Sequence, residues 1–592
     1  MQGILNTPVI YLWRNMYKYA EGRRKKFWLT TTLFILANMV DVTQPLIFAY
    51  FLNFLQQNQL DQESLWKIFL ILLLFLATEV IFWALWAPAR ILEQKNAFFI
   101  KKRYKEYLLK GVMDLPLTWH ADHHSGDTID KIEKGSNAIY SFSAEEFMYI
   151  KSFAKLIFSF GALVYFSFFP SLIVIFISIF AFYIMFRYDK KLTVGYGVVN
   201  KFENKISERV YDVISNITTV IILRIESLVF KTIEKSINAP YPQFKENVLN
   251  NEKKWYSASI LGQIAVILMI FFYLLLEVRH GSVVLIGSIY ILYSYSTKVK
   301  DTFFSFAQLY GVSVRQKTNM QNAEEISKEF DKVEFVKNKY LPKNWSTVSV
   351  KNLTFSYHEA EGSDLHLDDV SISFTKGQKI AVIGESGGGK TTFLKLFRGL
   401  YAPKSMTLEV DDKRLGENFT HISESISLIP QDPEIFTTTI RENITLGVDY
   451  KDQEINIYTD MAVFTEVVSR LPHGLESSIV EKGVNLSGGE KQRLALSRGL
   501  LASREKDIVL LDEPTSSVDF HNELGIYENI FKAMPEKTII SSIHRLHLLS
   551  LFDNIFFFKD GKIVASGNLE TLKKESKDFQ QLWDKYLKTQ NQ

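Results

Sequence analysis

Apolar residues fall along this chain in two regimes: long runs nearly free of charge in the first 300 residues, and short, strand-length runs after residue 340. Residues 27–55 are apolar apart from Asp41 and a few amides, and residues 68–86 carry Glu79 as their one charge. Both reach the roughly 20 residues that a helix needs to cross a bilayer core. Residues 156–186 contain no charge and are too long for one span, so Pro170 is expected to mark a tight turn between a third and a fourth helix. Residues 255–276 supply an uncharged fifth span, and residues 283–297 begin a sixth that continues as a helix into the cytosol. Six spanning helices are predicted.

Lysine and arginine sort the connections. Arg14, Lys18, Arg23, Arg24, Lys25 and Lys26 precede the first span, whereas the turn at 56–64 has only Asp61 and Glu63. Positive residues concentrate on the cytosolic side, which predicts that both termini and the nucleotide-binding domain lie on the cytosolic side of a bacterial-type inner or plasma membrane. The long connections 90–145 and 188–254 are also rich in Lys and Arg. Their helix-forming sequence predicts spanning helices that run well beyond the bilayer. The first 26 residues are polar, aromatic and basic, unlike a secretory signal peptide.

In the second half the apolar runs are 379–383, 426–429, 508–511, 538–542 and 554–558, with helical stretches between some of them. This alternation predicts a soluble α/β domain with a largely parallel core sheet. The expected organisation is a transmembrane domain over 1–330, a linker over 331–345 and a nucleotide-binding domain over 346–592.

Composition narrows the field. A chain of 592 residues is too long for one ordinary domain, and a net charge of +3 gives no argument for nucleic acid. With no cysteine there is no disulfide framework, thiol nucleophile or thiolate metal site. Aromatic residues reach 14%, with most phenylalanine in the first half, which points to lipid.

The chemistry is concentrated in three motifs. Gly384-Glu385-Ser386-Gly387-Gly388-Gly389-Lys390-Thr391 matches G-x-x-x-x-G-K-S/T after a strand and before the helical stretch from Thr392, the context that makes the pattern a phosphate loop. Its backbone N–H groups and the helix N-terminus wrap phosphates, Lys390 reaches the β- and γ-phosphates, and the Thr391 hydroxyl ligates Mg²⁺. Asp512 ends the run Ile508-Val509-Leu510-Leu511, so a buried strand can deliver its carboxylate to the same metal. Between these motifs lies Asn485-Leu486-Ser487-Gly488-Gly489-Glu490-Lys491-Gln492-Arg493.

Together, and in this order, the three motifs resemble the ATP-binding cassette (ABC) superfamily, whose Leu-Ser-Gly-Gly signature in one subunit closes over ATP held by another. The six spans with two long cytosolic loops resemble the exporter-type transmembrane domain. This resemblance implies an all-α six-helix domain followed by an α/β P-loop cassette, with ATP and Mg²⁺ as cofactors. It implies that Ser487, Gly488 and Gly489 complete a partner's site, that Thr392 adjoins the bound phosphates, and that Glu513 is the base activating the attacking water. Gln431 resembles the glutamine that touches Mg²⁺ and water, His544 the switch histidine on the γ-phosphate, Tyr357 the aromatic stacked on adenine, and Asp519 the loop crossing to the opposite site. Glu481-Lys482-Gly483 resembles the segment that meets the coupling bends, which by position lie near 114–123 and 215–222. One departure is Glu490, where many exporters have Gln.

Some residues stand outside the motifs. His120, Asp122, His123 and His124 have metal-ligand chemistry but lack the spacing of a known zinc pattern and are read as a polar docking loop, with no structural metal expected. Asp41, Glu79 and Lys155 sit within or beside apolar spans, where a charge costs at least about 2.5 kcal/mol and usually faces a cavity. Each either lines a substrate path or pairs with a neighbouring helix. Tyr290, Tyr293 and Tyr295 are weaker path candidates.

One phosphate loop and one signature per chain imply a half-transporter that pairs head to tail, and intact motifs favour a homodimer. The expected function is ATP-driven export of a hydrophobic or amphipathic substrate (drug, peptide or lipid), with membrane lipid and no nucleic acid as partners. The alternatives are an importer of the same fold, and an ATP-gated channel or regulatory ATPase without net transport. About 26 residues precede the first span, so a leader-cleaving protease domain is not expected there.

Overall fold

Ser167, at φ −160° and ψ 97°, breaks the longest apolar stretch of the chain. The helix Glu146–Phe166 ends before it and Phe168–Ser215 begins after it. The turn therefore comes earlier than expected, and Pro170 is buried in the first turn of the following helix, where its missing N–H leaves no intrahelical bond unmade.

This computed structural model describes residues 7–281, 283–332, 339–357, 366–432, 434–479 and 486–590. The chain divides into two compact units, Met1–Leu115 with Trp119–Val333 and Pro116–Thr118 with Glu334–Gln592.

The first unit is helical. Five segments are long and apolar enough to cross a membrane: Arg24–Gln57, Gln62–Met113, Ser125–Phe166, Phe168–Ser215 and Glu226–His280. The sixth expected span begins the 45-residue helix Ile286–Phe330, which has the length but a more polar sequence. A 52-residue helix such as Gln62–Met113 extends about 78 Å at 1.5 Å per residue, far beyond a hydrocarbon core of roughly 30 Å. The connections read as cytosolic are thus continuations of the spans.

The two expected bends are short helices, Leu117–Asp122 and Ile217–Ile222. His123 stacks on Trp119 with ring centroids 4.2 Å apart, His120 Nε2 lies 3.1 Å from the Val112 carbonyl, and His124 faces Asp212 at 3.7 Å. Glu79 lies on an exposed face of its helix and accepts from Trp83 Nε1 at 2.9 Å. Tyr295 is fully buried and donates to the Val42 carbonyl at 2.7 Å. Tyr290 packs on Phe48, and Tyr293 is about half exposed. Of these candidates, Lys155 and Asp41 are the ones brought together, at 3.3 Å.

The second unit holds two sheets. A four-stranded antiparallel sheet runs in the order β2-β1-β4-β5, with β1 Thr347–Phe355, β2 Leu367–Thr375, β4 Ser405–Val410 and β5 Lys413–Gly416. A six-stranded sheet runs β10-β9-β3-β8-β7-β6, with β3 Lys379–Gly384, β6 Ile426–Ile429, β7 Ile508–Asp512, β8 Thr538–Ser542, β9 Asn554–Lys559 and β10 Lys562–Gly567. All its pairings are parallel except β9 with β10.

Every residue of β7 and β8 is buried, as expected for parallel strands covered on both faces. Alternate residues feed two separate cores: Ala381, Ile383, Val509 and Leu511 join one, while Ile380, Val382, Ile508 and Leu510 join the other. The central strands are thereby clamped, and their carboxyl ends form a fixed edge.

Candidate active site at the ends of three parallel strands

In open parallel sheets, ligands bind outside the carboxyl ends of the strands. Here β3, β8 and β7 are consecutive neighbours, so the residues that follow each of them converge.

After β3, residues 385–389 turn into the helix Lys390–Phe397. Gly384 permits this turn. Its φ is +149°, and an added Cβ would lie 2.2 Å from the Phe558 carbonyl oxygen, a clash no rotamer relieves. Gly388 N–H donates to the Glu385 carbonyl at 3.1 Å, tightening the loop, and Gly389 caps the helix. Lys390 is buried and donates from Nζ to the Gly384 and Glu385 carbonyls at 2.9 and 3.0 Å. Burial holds its ammonium below the ordinary lysine range, while the carboxylates of Glu513 and Asp512 act in the opposite sense.

Thr391 Oγ1 donates to Asp512 Oδ1 at 3.1 Å. The same oxygen accepts from Ser542 Oγ at 2.8 Å, and Ser542 Oγ in turn accepts from Glu513 N–H at 2.8 Å. Glu513 has φ +46°, a region that side chains other than glycine rarely occupy and that clusters at functional sites. Its carboxylate is held at both ends, by His544 Nε2 2.6 Å from Oε1 and by Gln431 Nε2 donating to Oε2 at 2.9 Å. Six of the predicted residues, Lys390, Thr391, Asp512, Glu513, Gln431 and His544, form one constellation.

Tyr357 stands at the flank of this site. Its ring makes edge contacts with Phe355, His366 and Tyr401, and its hydroxyl lies 3.5 Å from Thr392 Oγ1. One side of the tyrosine remains exposed.

Ser487 is the N-cap of the helix Gly488–Ala502. Its hydroxyl accepts from Glu490 N–H at 3.3 Å, while Glu490 Oε2 accepts from Ser487 N–H at 2.8 Å. This is a reciprocal capping box. Glu490 also pairs with Arg470 at 2.6 Å. The Ser487 N–H, together with its hydroxyl and the Arg470 guanidinium, holds the Glu490 carboxyl below its ordinary range. Gly489 is a close-approach position, because a Cβ there would lie 2.7 Å from the Ser517 carbonyl oxygen. Among the described residues, no hydrogen bond or ion pair joins Ser487, Gly488 or Gly489 to residues 384–392. Asp519 caps the helix Phe520–Ala533, and the Asn522 N–H and side-chain amide hold its carboxyl low. Asn485 and Glu481-Lys482-Gly483 lie outside the described residues.

Two residues of the site have no role in the motif reading. Ser542 is register partner to Asp512 across β8 and β7; its signal is strand order, which sequence does not give. Gln492 is buried and donates to the Gln431 and Glu513 carbonyls and to Ser516 Oγ at 3.3, 3.2 and 2.8 Å. It also accepts from Ser517 N–H at 2.8 Å. Its position one helical turn beyond Gly488 is the signal that could have found it.

Comparisons with known proteins agree with this architecture. A family model described as ABC transporter transmembrane region matches residues 27–299, and one described as ABC transporter matches residues 367–516. ATP-binding cassette sub-family B member 6 of Rattus norvegicus is 28% identical over 498 residues, covering 80% of this chain and 57% of that protein. ABC transporter ATM1 of Toxoplasma gondii is 36% identical over 259 residues, 43% of this chain and 22% of the relative. Iron-sulfur clusters transporter atm1, mitochondrial, of Aspergillus fumigatus is 32% identical over 241 residues, 40% of this chain and 32% of the relative. The chain thus spans well under two thirds of the length of these curated relatives. A solved structure of a bacterial Atm1-family ABC exporter with ATP bound has the same fold, with a TM-score of 0.80 at 20% identity over 95% of this chain and 99% of that one. With a helical transmembrane region and an α/β cassette unit in one polypeptide, each matched by its own family model, the chain belongs to the ABC transporter family.

Proposed function

We propose that this protein uses ATP hydrolysis to drive export of a hydrophobic or amphipathic substrate by alternating access. Two chains form a homodimer with two composite nucleotide sites. The observation that carries this reading is the constellation at the ends of β3, β7 and β8, in a chain that also carries the family's transmembrane region.

The residues fit ATP and Mg²⁺. Lys390 is buried, and its hydrogen bonds are to carbonyls of its own loop, which leaves its charge available to phosphate oxygens. Thr391 and Asp512 meet as a hydroxyl and a carboxylate, the oxygen donors that suit Mg²⁺. A bound Mg²⁺ supplies charge neutralisation on the transferred phosphoryl group. Ser542 orients Asp512 and anchors the Glu513 backbone. Glu513, restrained by Gln431 and His544, is the base that takes a proton from water on the face where the γ-phosphate lies. Tyr357 offers its exposed ring face to adenine.

The second site half comes from the partner. The hydrogen bonds of Ser487 stay within its own helix cap, and the start of the helix Gly488–Ala502 is the end that favours an anion. This arrangement supports closure on the ATP of a second chain. Gln492 joins the signature helix to the Glu513 and Gln431 backbones, which gives a route by which partner closure is felt at the base.

The test is reconstitution. Inside-out vesicles that accumulate substrate only with hydrolysable ATP support export, whereas ATP turnover with no movement of any substrate supports the regulatory ATPase.

A further inference from the structure

Three transmembrane helices that pack on one another, Arg24–Gln57, Glu146–Phe166 and Ile286–Phe330, bring four charged residues together. Lys155 Nζ lies 3.3 Å from Asp41 Oδ2. Lys298 Nζ donates to the Asp41 carbonyl at 3.4 Å. Lys151 is within electrostatic range of Lys155 and Asp41, and Lys298 within range of all three.

With the outer ends of these helices placed at the bilayer surface, the group lies inside the hydrocarbon core. At 1.5 Å per residue, Asp41 is about 24 Å from the Gln57 end of its helix, Lys155 about 17 Å from the Phe166 end, and Lys298 about 18 Å from the Ile286 end. These depths fall within a core of roughly 30 Å, where unpaired charge is costly and marks substrate paths.

The charges do not balance. Among the described residues, Asp41 is the one carboxylate paired with the cluster, against three ammonium groups. Lys151 and Lys155 are four residues apart on one helix, the spacing at which like charges repel. Lys151 Nζ has the Trp86 ring 5.8 Å away, a contact that does not neutralise it. Lys155 and Asp41 each keep about a quarter of their side-chain surface exposed, 24% and 25%, so the cluster is open to a ligand. Apolar rings adjoin it: the Trp86 ring beside Lys151 packs on Phe82 and Phe34, each at 5.1 Å, and on Phe147 at 5.4 Å.

We propose that Lys151, Lys155 and Lys298, with Asp41 against the latter two, form a headgroup subsite on the transport path, and that its ligand is an amphiphile whose polar end carries two negative charges. Two are needed because three ammoniums against one carboxylate leave two positive charges uncompensated in a medium that penalises each. The apolar rings receive the tail. This rests on the export reading above and names its substrate class.

The probes are dodecyl compounds of one chain length: dodecyl phosphate and dodecylsuccinate as dianions, dodecanoate as a monoanion, dodecyl maltoside as a neutral molecule and dodecyltrimethylammonium as a cation. Each is titrated at pH 8 onto the full-length protein in phosphatidylcholine nanodiscs, and the protein's melting temperature is read, which needs no turnover. Both dianions are expected to stabilise the protein at concentrations at least about tenfold below those of the cation and the neutral compound, the discrimination of a charge-assisted contact. A response to only one dianion restricts the head to phosphate or to carboxylate. The triple variant Lys151→Gln, Lys155→Gln, Lys298→Gln is expected to erase the preference, Lys155→Arg to keep it, and Asp41→Asn to widen it. Equal response to cation and dianion, or a preference that survives the triple variant, overturns the proposal. If the triple variant does not fold, Asp41→Asn decides, and no widening counts against the site. ATP turnover in the same discs is scored separately, so failure of the export reading is distinguishable from failure of the subsite.

Discussion

The carboxylate of Glu513 lies 2.6 Å from Nε2 of His544, so residues that follow two adjacent parallel strands meet at one point. Because Asp512 and Ser542 are register partners, the residues after them are carried to the same edge. Glu513→Gln removes the carboxylate proposed as the base while keeping a side chain of the same shape. ATP binding will persist, and steady-state hydrolysis will fall at least about a hundredfold, since a positioned general base contributes 10² to 10⁴. Near-normal turnover in that variant would refute the assignment of the base.

Lys390→Ala takes away the cation that the glycine-rich loop holds against its own carbonyls. Nucleotide affinity will drop by at least about tenfold, as a lost charge-assisted hydrogen bond predicts. Equilibrium binding of a fluorescent ATP analogue measures this, and an unchanged Kd would mean that phosphate binds elsewhere.

Gln492→Leu leaves the Ser517 N–H without its acceptor and removes three donated bonds. Unpaired buried groups cost about 1–3 kcal/mol each, so the melting temperature will fall. The kcat will fall more than KM rises, because the lost bonds position Glu513 and Gln431 rather than hold the nucleotide. A stable variant with normal kcat would show that the bridge is dispensable.

Glu490→Gln is expected to be nearly silent in turnover. The amide oxygen can still accept from Ser487 N–H, and the ion pair that is lost is with the largely exposed side chain of Arg470, which costs under about 1 kcal/mol. The carboxyl of Glu490 is held below its ordinary range, so its contribution to stability is complete above the ordinary glutamate pKa. That contribution disappears as pH falls through the lowered value. Wild type and variant will therefore differ by a constant small amount at neutral pH and converge under acid, which thermal melts at several pH values can check.

The cassette was legible because its chemistry is compressed into short motifs with fixed backbone geometry, and five apolar runs correspond to β3, β6, β7, β8 and β9. The antiparallel sheet was less visible, because its strands carry mixed surface residues such as Lys351, Glu409 and Lys413. The roles of Ser542 and Gln492 were not assigned for a related reason: each acts through a pairing that exists only after the strands are ordered and the helix is docked. In the membrane unit, apolar length located the helices, but Pro170 misled because proline suits a helix's first turn as well as a break. Asp41 and Lys155 were visible as charges in apolar spans, whereas Lys151 and Lys298 needed the packing of three helices to join them.

The central claim, that each ATP is enclosed by residues from two chains, is tested by mixing two inactive variants. Ser487→Arg places a large cation where the proposed composite site would clasp the γ-phosphate, and Lys390→Ala removes the lysine proposed to hold phosphate in the glycine-rich loop. In a mixed dimer one composite site carries both lesions and the other carries neither. Co-reconstituted mixtures are expected to recover part of the ATP hydrolysis that each variant lacks alone. No recovery at any mixing ratio, with mixed dimers verified by differential tags, or full activity of Ser487→Arg by itself, would contradict a site shared between chains.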